Sequence, residues 1–219
     1  MANLVVFGAG DMARLAHFYF STDSEHRVAA FTVDADYRTG DTFQDLPLLP
    51  FDRIAAAYPP SAYKMFVAVG YRGMNQIRAV KYAEARALGY ELVSYVSSRA
   101  SVLTQFPHGD NCFILEDATV QPFVRVGCDV TLWSGSHICH DSQIGDHCFI
   151  GAEAVVSGFA DVGHHCFVGS NATVRNGIRL AESTLVGAGA LVMKDTAPRS
   201  VYIAARTEPS AKTSDQIDL

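Results

Sequence analysis

The sequence predicts an α/β domain with a small parallel sheet over residues 1–100, followed by a parallel β-helix over residues 101–219 that includes a C-terminal tail. Three observations support this division. Strand-like and helix-like segments alternate over the first hundred residues, as in parallel sheets with helical crossovers. The helical signal then ends, and every sixth residue from 114 to 192 is aliphatic. A six-residue period is typical of a parallel β-helix.

The first part contains four segments with strand character, NLVVFGAG, HRVAAFTVDAD, YKMFVAVGY and YELVSYVSS. The segment DMARLAHFYFST has helical spacing, and MNQIRAVKYAEARALG predicts a helix with Ile77, Val80 and Leu88 on one side and Gly89 as its stop. This order predicts a Rossmann-like sheet. Ligands of such sheets bind beyond the carboxyl ends of the strands, which here carry Gly8, Gly10, Asp34, Asp36, Gly70 and Tyr71.

The repeat predicts the inside of the β-helix. The fourteen aliphatic residues should point into a narrow core: Ile114, Val120, Val126, Leu132, Ile138, Ile144, Ile150, Val156, Val162, Val168, Val174, Leu180, Val186 and Val192. The residue two positions earlier is usually small, which suits a tight corner. Glycine often follows the aliphatic residue, and we expect it to supply backbone freedom near the turn. Three short strands per coil predict a triangular prism of between four and five coils.

One stretch, SGSHICHDSQIGDHCFIG, concentrates histidine, cysteine and aspartate. The repeat assigns Ser136, Ser142 and Cys148 to small corners. A zinc site needs clustered ligands, and the cysteines are instead spread through the repeat, so we expect no metal. His140 and Asp141 lie off the aliphatic register at a turn and are free to face a groove. His137 and His147 receive no special role.

Composition narrows the functional classes. The net charge of −6 argues against nucleic acid as a partner. The segment MANLVVFGAG lacks the basic region of a signal peptide, and no apolar run reaches the roughly 18 residues of a membrane span. Five cysteines without a secretion signal are typical of reduced thiols. We therefore expect a cytoplasmic protein without membrane or nucleic-acid partners.

Several motifs carry a family resemblance: VVFGAGDMA, FTVDAD, FVAVGYRGMNQIR, CHDSQIGDHCFIGAEAVVSG and VGAGALVMKD. Together with the repeat they resemble the bacterial sugar acyltransferases that include sialic acid O-acetyltransferase and the bacillosamine and perosamine N-acetyltransferases. The resemblance implies a left-handed β-helix and a homotrimer with active sites between subunits. It also implies His140 as general base and Asp141 as its orienting partner. A neutral imidazole near pH 7 suits the removal of a proton from an attacking amine.

The resemblance also implies the ligands. Acetyl-CoA, the acyl donor, would lie between adjacent prisms against Gly158, Ala188, Lys194 and Arg206, and basic residues do gather toward this end of the chain. A nucleotide-linked sugar would occupy the first domain, with backbone amides of the glycine loop on its phosphates. Its candidate contacts are Gly8, Gly10, Asp34, Asp36, Gly70 and Arg72. No metal is implied.

The acceptor favoured by the resemblance is the 4-amino group of a 4-amino-4,6-dideoxy sugar of the UDP-bacillosamine-precursor or GDP-perosamine type, used for lipopolysaccharide O-antigen. Acetylation of a sialic acid hydroxyl and a non-catalytic trimeric β-helix are alternatives. Two further readings stay open. Gly8-x-Gly10-x-x-Ala13 nearly matches a dinucleotide fingerprint, and Cys139 beside His140 allows a Cys-His nucleophile.

Overall fold

The computed structural model describes residues 2–217; residue 1 and residues 218–219, which the predicted domain limits include, lie outside the described residues. The first domain contains a five-stranded sheet in the order β3-β4-β2-β1-β5. All neighbouring strands are parallel except β3 and β4. The strands are β1 (Asn3–Phe7), β2 (Arg27–Val33), β3 (Thr42–Phe43), β4 (Leu46–Pro50) and β5 (Tyr63–Val67). Residues 4–7 are all buried, as expected for a parallel strand covered on both faces.

The helices are α1 (Asp11–Thr22), α2 (Ile54–Ala57) and α3 (Gln76–Ala87), with short 3₁₀ helices at Ala35–Tyr37, Phe51–Arg53 and Ser214–Gln216. Helix α3 ends near the predicted Gly89, which has a φ of +91°. The side of α3 with Ile77, Val80 and Leu88 is exposed to solvent. The opposite side, Arg78, Tyr82 and Ala85, is buried, because a charged partner for Arg78 lies in the second domain.

The predicted fourth strand of the sheet is wrong for most of its length. Leu92 forms a single parallel bridge to Met65 in β5, and Tyr95–Val96 already pairs with a strand of the β-helix. The chain leaves the sheet here because the Tyr95 N–H donates to the carbonyl of Cys112, in the next coil, at 2.8 Å. The β3–β4 hairpin, which the sequence did not predict, extends the opposite edge of the sheet.

The second domain is a prism with three parallel sheets, called here the first, second and third faces. The first face comprises Tyr95–Val96, Phe113–Ile114, Thr131–Leu132, Phe149–Ile150, Phe167–Val168, Leu185–Val186 and Val201–Tyr202. The second comprises Ser101–Val102, Thr119–Val120, His137–Ile138, Val155–Val156, Thr173–Val174 and Leu191–Val192. The third comprises Arg125–Val126, Gln143–Ile144, Asp161–Val162 and Arg179–Leu180.

The predicted core of the prism is confirmed. All fourteen register aliphatics are buried, from Leu132 at 0% to Val126 at 7% exposure. The small residues two positions earlier, such as Ser136, Ser142 and Cys148, are fully buried beside them. One position earlier again, at residues 111, 117, 123 and so on to 189, every residue has a left-handed φ between 53° and 70°. We call these fourteen residues the corner positions.

The expected reason for the glycines after the aliphatic residues is wrong. Gly145 and Gly163 do not have a positive φ. A Cβ on Gly145 would instead lie 2.8 Å from the backbone nitrogen of His164, and one on Gly163 would lie 2.8 Å from that of Glu182. Glycine is needed there because successive coils approach too closely for a side chain.

The first domain packs on the first face of the prism. Arg78 of α3 inserts beside Asp129, with its Nε donating to Oδ2 at 3.0 Å, and both side chains are at most 2% exposed. Asn111 donates from Nδ2 to the other oxygen of Asp129 at 2.7 Å, and its own Oδ1 accepts from the Val67 N–H at 2.7 Å. We call the cluster of Arg78, Asn111, Asp129 and His147 the seam. The seam joins the two domains, and the charges of Arg78 and Asp129 are paired there because an unpaired buried charge would be costly.

Candidate active site

His140 lies at the corner between the second and third faces, after the strand His137–Ile138 and before Gln143–Ile144. Asp141 occupies a corner position with a φ of 58°, which aspartate tolerates better than most side chains. The Asp141 N–H donates to the carbonyl of Pro122 one coil before, and the His140 carbonyl accepts from the Phe159 N–H one coil after. The coil-to-coil ladder therefore holds this turn rigidly.

The two side chains form a pair with a defined tautomer. The Nδ1 of His140 lies 2.9 Å from Oδ2 of Asp141, and the side chains are 51% and 38% exposed. An ionised carboxylate only accepts hydrogen bonds, so Nδ1 carries the hydrogen and Nε2 of the neutral ring has a free lone pair. The predicted base thus has the proton acceptor that general-base catalysis needs.

A second histidine–aspartate pair on the third face has the opposite tautomer. The backbone N–H of Asp146 donates to Nδ1 of His164 at 2.9 Å. A nitrogen that accepts a hydrogen bond carries no hydrogen, so Nε2 of neutral His164 is a donor. The Asp146 carboxylate lies farther from the same Nδ1, at 3.4 Å, and the shorter contact decides the tautomer. Of these two pairs, only His140 can accept a proton at Nε2 while neutral.

Residues one coil away surround the His140 ring. The Oε1 of Gln121 accepts from the His140 N–H at 2.9 Å. A Cβ on Gly158 would lie 3.0 Å from both Cε1 and Nε2 of His140, so the absence of a side chain makes room for the ring. The Phe159 ring meets the imidazole edge-on, with centroids 5.1 Å apart. The sequence singled out Gly158 but missed Gln121 and Phe159. The signal that could have found them is the eighteen-residue spacing of the coils, which places residues about 18 positions before and after His140 beside it.

Cys139 is poorly suited to act as a nucleophile. Burial raises the pKa of its thiol above the usual value, and a smaller opposing effect comes from the Gly158 N–H. The thiolate, which is the reactive form, is therefore disfavoured near neutral pH. Within residues 2–217 the Gly158 N–H donates to no oxygen or nitrogen. Gly158 therefore lies beside both the Cys139 thiol and the His140 ring, where an acyl oxygen would need a donor.

The first domain contains a cleft of about 740 Å³. Five of the six predicted nucleotide-sugar residues line it, namely Gly8, Gly10, Asp34, Gly70 and Arg72, whereas Asp36 does not. Asp36 is exposed on the 3₁₀ helix that follows β2.

Gly8 and Lys81 shape this cleft. Gly8 has a φ of +130°, and a Cβ there would lie 2.7 Å from the Ala68 carbonyl oxygen. Lys81, which the sequence did not single out, lines the cleft and donates to Oδ1 of Asp34 at 2.7 Å. The two are 47 residues apart, and no motif connects them.

The predicted acetyl-CoA residues fall into two groups. Gly158 and Lys194 follow His140 along the same prism corner, one and three coils away, so Lys194 lies about 14 Å from His140 at about 4.8 Å per coil. Ala188 lies at the corner between the first and second faces. Arg206 is exposed beyond the last strand, Val201–Tyr202. Within one chain the structure brings Gly158 to His140, but neither Ala188 nor Arg206.

The cleft and His140 lie on opposite sides of the prism. The first domain, with Tyr71 of the cleft against Phe149 and Phe167, covers the first face. The corner of His140 joins the other two faces and is therefore the corner farthest from that domain. In residues 2–217 no three His, Cys, Asp or Glu side chains are grouped as metal ligands. The same part of the chain has no helix with the length and hydropathy to cross a membrane.

Two family models match the prism. Residues 123–158 match the bacterial transferase hexapeptide family (six repeats), and residues 159–194 match the hexapeptide repeat of succinyl-transferase. No curated protein sequence matches the chain at a significant level.

Three solved structures share the architecture of the whole chain. A histidine-to-asparagine mutant of perosamine N-acetyltransferase from Caulobacter crescentus, in complex with CoA and GDP-perosamine, has a TM-score of 0.83 at 22% identity over 92% of this chain and 93% of that one. The acetyltransferase domain of PglB from Neisseria gonorrhoeae has a TM-score of 0.78 at 21% identity, over 92% and 96%. WeeI from Acinetobacter baumannii has a TM-score of 0.78 at 18% identity, over 92% and 96%. The predicted fold, an α/β domain followed by a left-handed parallel β-helix, is confirmed.

Proposed function

We propose that this chain, a member of the hexapeptide-repeat acyltransferases, transfers an acetyl group from acetyl-CoA to the 4-amino group of a nucleotide-linked 4-amino-4,6-dideoxy sugar. The sequence motifs predicted this family, and the two family models confirm it. One observation carries the proposed reaction. The 2.9 Å hydrogen bond between Nδ1 of His140 and Asp141 leaves Nε2 of the half-exposed ring free to accept a proton, next to Gly158.

The proposed chemistry is direct transfer. The sugar amine attacks the thioester carbonyl, and its nitrogen gives a proton to Nε2 of His140 as the C–N bond forms. Asp141 stabilises the imidazolium through Nδ1, and the Gly158 N–H donates to the developing oxyanion. The C–S bond then breaks, and the proton on Nε2 passes to the CoA sulfur. The raised pKa of Cys139 favours this route over an acyl-enzyme on that thiol.

The cleft of the first domain suits the nucleotide diphosphate. Gly8 and Gly10 precede the N-terminus of α1, where backbone amides favour phosphate. Arg72 is exposed at the same cleft and can add a bidentate phosphate contact. Asp34, held by Lys81, suits the base or the ribose. The Caulobacter protein with this fold binds GDP-perosamine, so we place a GDP-perosamine-type acceptor first and a UDP-linked 4-amino sugar second.

The opposite placement of the cleft and His140 supports a composite site in a homotrimer. A sugar held by the cleft of one copy would meet His140 of a neighbour. Acetyl-CoA would lie between the prisms, with Gly158 and Lys194 from one copy and Ala188 and Arg206 from the next. The five cysteines form no disulfide, which fits a reducing compartment. We therefore place the reaction in the cytoplasm, where it would supply N-acetylated sugar for a surface glycan such as lipopolysaccharide O-antigen.

The activity test incubates the purified protein with acetyl-CoA and a panel of GDP-, UDP- and dTDP-linked 4-amino-4,6-dideoxy sugars. CoA thiol release and a mass gain of one acetyl group on the sugar measure the reaction. The proposal expects turnover with a 4-amino sugar and none with its 4-hydroxy counterpart. Acetylation of a sialic acid hydroxyl, or no turnover with any amino sugar, would contradict it.

A mixing experiment tests the composite site. His140→Asn removes the base, and Arg72→Glu places a like charge against the diphosphate, so each variant alone should be nearly inactive. Co-refolded mixtures should regain activity, because some sites then combine an intact cleft with an intact His140. If mixed oligomers form and stay as inactive as their parents, both elements must act within one chain.

A further inference from the structure

The corner of His140 holds two exposed phenylalanines in an unfavourable backbone conformation. Phe123 and Phe159 lie one coil before and one coil after Asp141, with φ values of 68° and 58°. They are 54% and 59% exposed. A bulky side chain with a positive φ is a genuine outlier, and a half-exposed ring adds little to the core. The folding of the prism therefore does not explain these two residues.

The other corner positions show what the fold prefers. The remaining twelve are all Asn, Asp, Glu, His, Ser or Gly: Asn111, Asp117, Asp129, Gly135, Asp141, His147, Glu153, His165, Asn171, Gly177, Ser183 and Gly189. Most of these are glycine or short polar residues, which tolerate a left-handed φ best. Both phenylalanines lie at the one corner that carries the candidate base. Strained conformations gather at functional sites, which indicates that a ligand selects them.

Phe159 is in direct contact with the candidate base. Its ring stands at 90° to the His140 imidazole at 5.1 Å, and its N–H donates to the His140 carbonyl at 3.0 Å. An amine that gives its proton to Nε2 must lie within about 3 Å of that nitrogen. The Phe159 ring, whose centroid is 5.1 Å from that of the imidazole, is then within reach of groups near the amine-bearing carbon. In a 4,6-dideoxy sugar, the neighbouring carbon C5 carries a methyl group.

We infer that Phe159 is a specificity-determining residue that contacts the C6 methyl of the acceptor sugar, with Phe123 extending the apolar wall beyond Asp141. This inference rests on the proposed function and refines its substrate class to sugars that lack a C6 hydroxyl. A hydroxymethyl group would place a hydroxyl against a phenyl ring without a partner, which is unfavourable. An apolar pocket separates such analogues by about 10-fold to 200-fold.

The test compares two nucleotide-linked acceptors that share the 4-amino group and differ only in methyl or hydroxymethyl at C5. We expect the wild type to prefer the methyl sugar by at least about 10-fold in kcat/KM. Phe159→Asn should reduce this preference to within about threefold, mainly by lowering kcat/KM for the methyl sugar. Phe159→Leu should keep part of the preference. Phe18→Ala removes an equally exposed phenylalanine on α1 and should keep all of it.

Thermal stability adds a second readout. Asparagine tolerates a left-handed φ and occupies the corner positions 111 and 171, so Phe159→Asn should keep or raise the Tm, by up to about 3 °C. A purely structural role predicts a lower Tm instead.

Four outcomes would overturn the inference. They are an unchanged preference in Phe159→Asn, an equal loss of kcat for both sugars, a lower Tm, and a change of oligomeric state with the preference intact. If the wild type acetylates neither sugar, the proposed function fails, and this inference fails with it.

Discussion

Two corners of one prism use histidine and aspartate for different purposes. At the corner between the second and third faces, the side chains of His140 and Asp141 are 51% and 38% exposed. At the corner between the third and first faces, Asp129 and His147 are 0% and 18% exposed beneath α3. The backbone is the same at both, since Asp141 and His147 have φ values of 58° and 59°. What covers a corner, rather than its backbone, decides whether its polar residues do chemistry or join domains.

At the buried corner, the charged groups of the seam are paired. Besides Nε, Arg78 donates from Nη2 to the carbonyls of Asp129 and Cys148, at 2.8 and 3.1 Å. The Nδ1 of His147 lies 2.8 Å from Oδ2 of Asp129. The exposed corner instead leaves Nε2 of His140 without a hydrogen-bond partner among residues 2–217. An unpaired polar group costs little where water or a substrate can reach it, and costs much where they cannot.

The largest effect expected at the exposed corner is that of His140→Asn. We expect turnover to fall by about 10²-fold to 10⁴-fold, which is the usual contribution of a general base, with the Tm unchanged because the side chain lies outside the core. His164→Asn is the matched control, since that pair has the wrong tautomer, and it should retain turnover. Steady-state kinetics with thiol detection measures both. A His140→Asn enzyme of full activity would remove His140 as the base.

The buried corner should respond to Arg78→Met in stability rather than chemistry. The substitution leaves Asp129 buried without its cation, which costs about 3–5 kcal/mol and lowers the Tm by about 6–20 °C. Arg86→Met on the same helix breaks a pair with Asp110 in which the arginine is 56% exposed, and should lower the Tm much less, because exposed ion pairs contribute little to stability. Calorimetry of the two variants gives the comparison. Equal Tm values would show that the seam does not hold the domains together.

The sequence predicted the exposed corner better than the buried one. His140 and Asp141 stood out because they lie off the six-residue aliphatic register and within a motif that the family resemblance identifies. His147 was given no role, yet it pairs with Asp129 in the seam. Asn111, Asp129 and His147 follow one another at the eighteen-residue spacing of the coils, but Arg78 comes from α3, and its pairing with Asp129 leaves no periodic signal. The YELVSYVSS segment was assigned to the sheet for the same reason, since the attachment of Tyr95 to Cys112 depends on how the two domains meet.

A smaller effect on turnover is expected from Asp141→Asn. The amide can donate to Nδ1 of His140 and so favour the tautomer with hydrogen on Nε2, the arrangement already present at His164. A hydrogen bond to a charged group contributes about 1.5–3 kcal/mol, so turnover should fall by about 10-fold to 100-fold, less than in His140→Asn. Asp117→Asn, at another corner position and in an exposed pair with Arg99, is the control and should be neutral. An Asp141→Asn loss equal to that of His140→Asn would mean that the carboxylate does more than orient the ring.

The smallest effect concerns the pH dependence of stability at the buried corner. Burial, followed by the nearby His147 and His164, lowers the pKa of His165 below its usual value of 6.5, and its buried Nδ1 has no hydrogen-bond partner among residues 2–217. The unfolded chain therefore binds this proton more readily than the folded one, so His165 stabilises the fold above a pH of about 6.5 and this contribution is lost as the pH falls through the lowered pKa.

His165→Asn, which suits the left-handed φ of 59°, should flatten the decline of Tm from a pH of about 7.5 to about 5. His164→Asn leaves the burial of His165 in place and removes only a smaller charge effect on it, so this variant should change the slope less than His165→Asn does. Burial also lowers the pKa of His17 and His26 in the first domain, so part of the decline of Tm should remain in His165→Asn. If the decline in His165→Asn is identical to that of the wild type, His165 does not contribute to the pH dependence of stability.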